Sequence, residues 1–423
     1  MVDDRKPKEQ QGLPEGWKWV RLGEVVERIR NGFVYHFSLM SKEGIPITRI
    51  ETISKGYIDE SKVGYLDFSY YELVKAFKLQ YGDILFSHIN SFEHVGKTAI
   101  YNGKPPFLIH GMNLLLLRAK DNVCHPFFLI FLLKSEEIRK KIRSLSRQAV
   151  NQVSINISDL SKLSIPLPPL PEQRKIAQIF ETVDNAIEKT EKIIEKYKRI
   201  KQGLMQDLLT KGIDEKGNIR SEKTHKFKDS PLGRIPEEWE VVRLGEVGEI
   251  IYGERLNEYE YVEDGSSIVY GTTGIIARTE KYMDVGEAII LPRKGSINNK
   301  FYVKEGQKFF VIDTAFYVKF VKTEVYVRYI YYFLHQVNFE LLNEATGVPS
   351  LNRENLKNIL IPLPPLSEQK RIAEILSQID QAIEKEEKYK QKLERLKKGL
   401  MEDLLTGKVR VNKLVEGEVN EMA

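Results

Sequence analysis

The feature that most constrains this chain is that its plan occurs twice. The segment Leu13-Pro14-Glu15-Gly16-Trp17-Lys18-Trp19-Val20-Arg21-Leu22-Gly23-Glu24-Val25 returns as Ile235-Pro236-Glu237-Glu238-Trp239-Glu240-Val241-Val242-Arg243-Leu244-Gly245-Glu246-Val247. A longer stretch, from Ile165-Pro166-Leu167-Pro168-Pro169-Leu170 to Thr210, returns from Ile361 to Thr406. Aligned without gaps from Ile165, roughly 28 of 48 positions are identical, far above chance. The first pair is offset by about 222 residues and the second by about 196, so the stretch between them is about 26 residues longer in the first half. An insertion that leaves its flanking repeats intact belongs in a variable domain. The order is variable, constant, variable, constant, which predicts an approximate internal two-fold.

The constant segments read as long helices. Each opens on an extended Pro-rich stretch, because a residue before proline is disfavoured in the α region. Glu172-Gln173 and Glu368-Gln369 then place an acid at the helix N-terminus, where the macrodipole favours negative charge. Ile176, Phe180, Val183 and Ile187 follow in steps of four and three, continued by Thr190, Ile194 and Tyr197. The second copy begins with Ile372, Leu376, Ile379 and Ile383 and resumes from Tyr389 after a polar stretch. A narrow apolar stripe near period 3.5 on a charged helix predicts a coiled-coil seam. Two such helices in one chain are expected to pack as an antiparallel pair. Gly203 and Gly399 are candidate ends or kinks. If the two-fold holds, the segment around Trp17 lies beside the end of the second helix, as its twin at Trp239 follows the first.

The predicted class is mixed α/β (α+β), with two globular domains separated by the two helices. The expected divisions are an N-terminal tail at 1–12, a first domain at 13–164, a first spacer helix at 165–212 and a linker at 213–234. A second domain at 235–360, a second spacer helix at 361–411 and a C-terminal tail at 412–423 complete the chain. Tyr81-Gly82-Asp83-Ile84-Leu85-Phe86-Ser87 and Val285-Gly286-Glu287-Ala288-Ile289-Ile290-Leu291 read as Gly-acid turns into apolar strands. Each domain is expected to close with one amphipathic helix, about 126–145 and 325–345, followed by the similar Val153-Ser154-Ile155-Asn156 and Pro349-Ser350-Leu351-Asn352.

Composition narrows the function classes. One cysteine, Cys124, excludes an internal disulfide framework and a Cys-based zinc site. The longest apolar run, Phe127 to Leu133, is far short of the roughly 20 residues that span a bilayer, and residues 1–6 lack the apolar core of a signal peptide. The expectation is a soluble, cytoplasmic protein with no membrane partner. A net charge of +5 permits a nucleic-acid partner without demanding one.

The duplicated IPLPPL-x-EQ helices, the W-x-x-V-R-L-G-E-V openings and the G-L-M-x-D-L-L-T endings resemble the specificity (S) subunits of type I restriction-modification systems. The resemblance runs from about Leu13 to Val411, and the repeat pair is its strong part. It implies a DNA-binding subunit without catalytic activity, whose two target-recognition domains each read half of a split target in double-stranded DNA. It also implies two methyltransferase subunits as partners, and possibly restriction subunits. S-adenosylmethionine and ATP would belong to those partners, and no cofactor or metal to this chain. A non-DNA coiled-coil scaffold is the alternative left open by the residues alone.

Base reading calls for Arg, Lys, Asn, Gln, Ser or Thr on exposed loops. In the first domain the candidates are Arg49, His88, Asn90, Ser91, His94, Lys97 and Thr98, around the loop after the GDILFS strand; Arg49 competes with an ion-pair reading. In the second they are Arg293, Lys294, Ser296, Asn298, Asn299 and Lys300, with the Gly-bearing turn Tyr270-Gly271-Thr272-Thr273 beside them. The bland alternative is a solvated hairpin. Trp17 and Trp239 are expected to anchor each domain to its helix. Gly96-Lys97-Thr98 looks like the end of a phosphate-binding loop, but GxxxxGK[ST] needs glycine where Ser91 stands, so ATP binding is not expected. Lys104-Pro105-Pro106-Phe107 departs from an aminomethyltransferase box at its first residue, since a lysine donates where an acceptor is required.

Overall fold

Each half of the molecule closes through a short strand pair that its repeated sequences dictate. Lys18–Arg21 runs antiparallel to Ser164–Leu167, with Trp19 opposite Pro166 and Val20 opposite Ile165. Glu240–Arg243 pairs with Leu360–Leu363 in the same register, Val241 opposite Pro362 and Val242 opposite Ile361. Both sheets have only two strands, so a proline that lacks its N–H is tolerated on an edge. The chain thus leaves each domain where it came in. A loop or strand added inside the domain does not displace the helix that follows, which accounts for halves of unequal length.

The protein is described here by a computed structural model covering residues 12–149 and 152–414. It forms two compact units: residues up to Lys189 with those from Lys390 onward, and Thr190–Tyr389. Each unit therefore holds one globular domain, the beginning of one long helix and the end of the other.

The globular domains share a four-stranded antiparallel sheet. In the first its order is Val26–Asn31, Leu114–Ala119, Ile84–Ser87, Thr98–Ile100; in the second, Gly248–Tyr252, Ala315–Phe320, Ala288–Pro292, Phe301–Val303. The GDILFS and GEAIIL segments supply an inner strand of each. Side chains alternate between two buried faces. Ile84, Phe86, Leu115 and Leu117 join the core beneath the helices, whereas Leu85, Leu114 and Leu116 pack on the opposite side with Ile53 and Leu108. The second domain repeats this, with Ile289, Leu291, Phe316 and Val318 on one face and Ile290, Tyr317 and Phe309 on the other. The remaining sheets differ. The second domain adds a four-stranded sheet, Gly274–Thr279, Ser267–Gly271, Lys308–Val311 and Asp284–Val285, where the first has smaller three-stranded ones.

The single closing helix expected at 126–145 is two helices, Pro126–Lys134 and Glu136–Ser144. Ser135 between them is extended (ψ 148°), and its hydroxyl and N–H both bond to the Leu132 carbonyl. The first of the two is buried from Phe128 through Leu133, so it is a core helix and not an amphipathic one. In the second domain the helix is Val327–Leu334, followed by a 3-10 turn at Phe339–Leu342.

The long helices are Leu170–Leu208 and Leu366–Leu404, 39 residues each. Gly203 and Gly399 end neither: both lie inside, where an added Cβ would meet nothing within 4 Å. Ile176, Phe180, Val183, Thr190 and Ile194 are buried, and Ile187 is half-buried. In the second helix Ile372, Leu376 and Ile383 are buried and Ile379 half-buried. The early part of each stripe serves its own domain as well. Ile176 and Phe180 join the first domain's core, with the Phe180 ring tilted against that of Phe131 at 4.8 Å between centroids, and Ile372 and Leu376 join the second's.

The N-terminal segment lies beside the end of the second long helix, as its likeness to the segment around Trp239 predicts. Arg410, just past the second long helix, donates to the Glu15 carbonyl at 2.9 Å. Gly407 (φ +77°) leaves room that a Cβ would lose, since it would fall 2.5 Å from Pro14 Cγ.

Candidate nucleic-acid interface

The joint between reader and helix is built from the repeated Glu-Gln. Glu172, 3% exposed, accepts a hydrogen bond from Trp17 Nε1 at 3.1 Å and two from Arg410, at 2.7 and 2.9 Å. Glu368 accepts from Trp239 Nε1 at 3.1 Å, from the Ile213 amide at 2.8 Å and from the Arg220 guanidinium. Sequence reasoning gave these acids to the helix dipole. They are also buried hubs that hold the anchoring tryptophans in place. The neighbouring glutamines tie two helix N-termini together. Gln173 accepts from the His125 amide at 2.8 Å and donates to the Val123 and Pro168 carbonyls. Gln369 accepts from the Tyr326 amide at 2.8 Å and donates to Glu324 and Pro364. His125 and Tyr326 precede the first turns of their domains' core helices.

Above this common frame the loops differ. In the second domain the Arg293 carbonyl accepts from the Leu351 amide at 2.9 Å, and the Gly295 amide donates to the Pro349 carbonyl, pinning the loop to the domain's last segment. Asn299 reaches the Thr272 carbonyl at 2.8 Å, which brings the Tyr270–Thr273 turn alongside the Arg293–Lys300 loop. Arg293, Lys294, Ser296, Asn298 and Thr273 are exposed or half-exposed, with Asn298 bonded to Glu340 at 2.9 Å. Two candidates face inward. Lys300 is 5% exposed, donates to the Val337 carbonyl and lies 4.0 Å over the Phe339 ring; burial pushes its amine down to about 8. Tyr270 is buried, its hydroxyl accepting from Gln307. Both support the loop instead of presenting a group to a ligand, a correction to the expectation for them. Sequence reasoning missed Tyr252 and Arg353. The half-exposed Tyr252 ring has the Arg293 guanidinium 5.3 Å away and that of Arg353 5.0 Å away, a cation-π arrangement that holds both arginines beside the loop. The only advance signal was an aromatic residue ending the first sheet strand, just before Gly253.

In the first domain the His88 carbonyl accepts from the Ile155 amide at 2.9 Å, as Arg293 does from Leu351, so His88 and Arg293 occupy equivalent places. The direct alignment of GDILFS with GEAIIL is thus off by one residue here, because the second strand continues through Pro292. His88 is half-buried, and desolvation lowers its pKa. Asn90 donates to Ser87 Oγ and accepts from the Ser91 amide; Ser91 and His94 are exposed. Lys97 donates to the Ser54 carbonyl at 2.7 Å. Thr98, 2% exposed in the strand Thr98–Ile100, is all but buried and presents nothing on the outer face of the loop, a correction to the expectation for it. Arg49 is paired with Glu51 at 3.0 Å in a separate pocket with Tyr35 and Met112, apart from the loop. Phe92, Lys140 and Arg143, which sequence reasoning passed over, line a cleft of about 590 Å³ beside the loop, with Phe92 57% exposed. Among the described residues no group of three or more His, Cys, Asp or Glu side chains is placed to hold a metal, and no helix is long and apolar enough to cross a membrane.

Comparison with known proteins places this geometry. A family profile described as the type I restriction modification DNA specificity domain matches twice, over residues 14–199 and 236–395. The chain is 39% identical over 418 residues to a Methanocaldococcus jannaschii protein described as a type I restriction enzyme MjaX specificity subunit, covering 94% of this chain and 95% of that one. It is 30% identical over 442 residues to the type I restriction enzyme MjaVIII specificity subunit of the same organism, with 96% of each covered. Its fold matches the crystal structure of a type I restriction-modification system S subunit from M. genitalium at a TM-score of 0.66 and 18% identity, covering 94% of this chain and 98% of that one.

Proposed function

Because the chain belongs to the type I restriction-modification DNA specificity family, we propose that each of its domains reads one half of a bipartite, asymmetric DNA target in the major groove. The observation that carries this reading is that two unlike loop sets are mounted on one repeated frame. Arg293 and Arg353 beside Tyr252, with the exposed Lys294 next in the chain, offer guanidinium and ammonium donors of the kind that recognise guanine edges. His88, Asn90, Ser91 and His94, beside Lys140 and Arg143, offer a different set. Different readers imply different half-sites, and hence a target without two-fold symmetry.

The helices act as the spacer. Thirty-nine residues correspond to a rod of about 58 Å, enough to set readers one or more ~34 Å helical turns of DNA apart. Ion pairs support an antiparallel coiled coil. Asp184 meets Lys397 in one unit, while Lys198 meets Glu387 and Lys201 meets Asp380 in the other, the two numberings running in opposite senses. Two equivalent frames invite two copies of one methyltransferase partner, joined in a restriction complex by restriction subunits. S-adenosylmethionine and ATP bind on those partners, and the assembly works in the cytoplasm where its DNA lies.

Duplex binding as a function of salt tests this against a scaffold that does not touch DNA. A reader making six or more phosphate contacts loses on the order of a thousandfold in affinity between 50 and 200 mM salt. Duplex affinity that is absent, or flat with salt, in the chain with its methyltransferase would leave the scaffold as the better account.

A further inference from the structure

We propose that the cleft under the Gly96-Lys97-Thr98 turn of the first domain is a binding site for a phosphoryl group. The cleft holds about 290 Å³, at the lower edge of the roughly 300–1,000 Å³ typical of small-ligand sites. Its walls carry Lys55, Lys97, Lys134 and Arg139, and no carboxylate lines it. Lys55 is neutralised by Asp59 at 2.8 Å, but among the described residues Lys97, Lys134 and Arg139 stand in no ion pair. The two remaining lysines are aimed by the backbone. Lys97 donates to the Ser54 carbonyl at 2.7 Å and Lys134 to the Gly56 carbonyl at 2.8 Å, which leaves each ammonium two further N–H groups.

A second observation points to a ligand independently. Thr98 is 2% exposed, it lines the cleft, and its hydroxyl has no hydrogen-bond partner. A buried hydroxyl left unpaired costs about 1–3 kcal/mol, so a polar group that completes it would be favoured. Burial, with the Lys397 charge adding to it and Asp184 opposing, pushes the Lys134 amine down to about 8, so an anion seated beside it would favour its charged form. A tetrahedral oxyanion matches the whole set, since it accepts from several ammonium groups and a hydroxyl at once. With Ser91 in place of the first glycine, this turn does not wrap a triphosphate chain, so the ligand is a single phosphoryl group. It comes either from the DNA backbone, because the turn continues the Ser91–His94 loop, or from free phosphate. The DNA source rests on the function proposed above; the site itself does not.

Two arms on the full-length chain separate these sources. In the first, thermal stability is followed while inorganic phosphate replaces chloride at constant ionic strength. The wild type gains stability with the logarithm of phosphate concentration, and Lys97→Met and Thr98→Val reduce that gain to the level of a control such as Lys18→Met. Lys97 is partly exposed, so its variant folds even if changes at Lys134 do not. In the second arm, duplex affinity of the chain with its methyltransferase is measured from 50 to 200 mM salt. A lost backbone contact lowers the salt slope by about 0.9, roughly a 3.5-fold smaller loss over that range, equally on all sequences. Loss of the phosphate effect with an unchanged slope assigns free phosphate, whereas a reduced slope assigns the DNA backbone. If Lys97→Met and Thr98→Val match the wild type in both arms, the proposal is wrong. If the wild type binds no duplex, the DNA reading fails and the phosphate arm still decides the site.

Discussion

Replacing Arg220 by methionine tests the joint that mounts the second reader. Arg220 and Glu368 have side chains only 9% and 7% exposed, and the same carboxylate also holds Trp239 and the Ile213 amide. Removing the guanidinium strands a buried carboxylate, which costs about 3–5 kcal/mol. In the twin pair Glu172 is as buried as Glu368 but the guanidinium is more open, Arg410 being 25% exposed, so water replaces it more readily and Arg410→Met costs nearer the 1.5–3 kcal/mol of hydrogen bonds to a charged group. A chain with two compact units does not unfold in one step, so the assay is native-state hydrogen exchange resolved by peptide. Arg220→Met should speed exchange of the most protected amides around 213–239 and 361–376 by roughly 10²- to 4 × 10³-fold, a tenfold change being about 1.4 kcal/mol. Arg410→Met should act less, and around residues 13–25. Adding Glu368→Gln to Arg220→Met removes the stranded charge and should recover part of the loss. Acceleration of less than tenfold in Arg220→Met, or no recovery in the double variant, would refute the buried-hub argument.

Other outcomes follow from the same geometry. Arg293→Ala and Arg353→Ala should each weaken discrimination in one half-site by about 1–3 kcal/mol and leave the other half-site unchanged, as read by competition binding. Deleting seven residues from each long helix shortens the rod by about 10 Å; selection of bound sequences should return the same half-sites with a different gap. His110 is fully buried, and burial lowers its pKa to about 4, so between pH 4 and 6.5 the unfolded chain binds the extra proton. The first domain is therefore most stable above pH 6.5 and loses about 3 kcal/mol as pH falls towards 4; His110→Gln should flatten that part of its pH-stability curve.

How much was legible in advance depended on whether the signal was one-dimensional. The duplicated segments, the extended Pro-rich strands and the long helices announce themselves through identity, proline and period, and all lie along the chain. The inner strands were readable because Ile84–Ser87 and Ala288–Pro292 are buried on both faces and so form unbroken apolar runs. Direction was harder. Lys300 and Thr98 sit in polar stretches, yet they point inward, and sequence period is too short-lived in such loops to reveal it. The joint's arginines were hidden for another reason. Arg410 and Arg220 follow the repeated helices at different distances, so a gapless alignment does not match them, and Arg220 fell in a stretch read as linker. That stretch also forms a hairpin, Phe227–Ser230 with Gly233–Pro236. Tyr252 and Arg353 meet Arg293 only through tertiary folding, from segments about a hundred residues apart in the sequence.

The most direct measurement is a map of methylated adenines in cells expressing this chain with its methyltransferase, before and after residues 13–164 are exchanged for another such domain. The account predicts a split, asymmetric target with a fixed gap, in which the exchange rewrites one half and keeps the gap and the other half. A continuous or palindromic target, or an exchange that rewrites both halves, would contradict it.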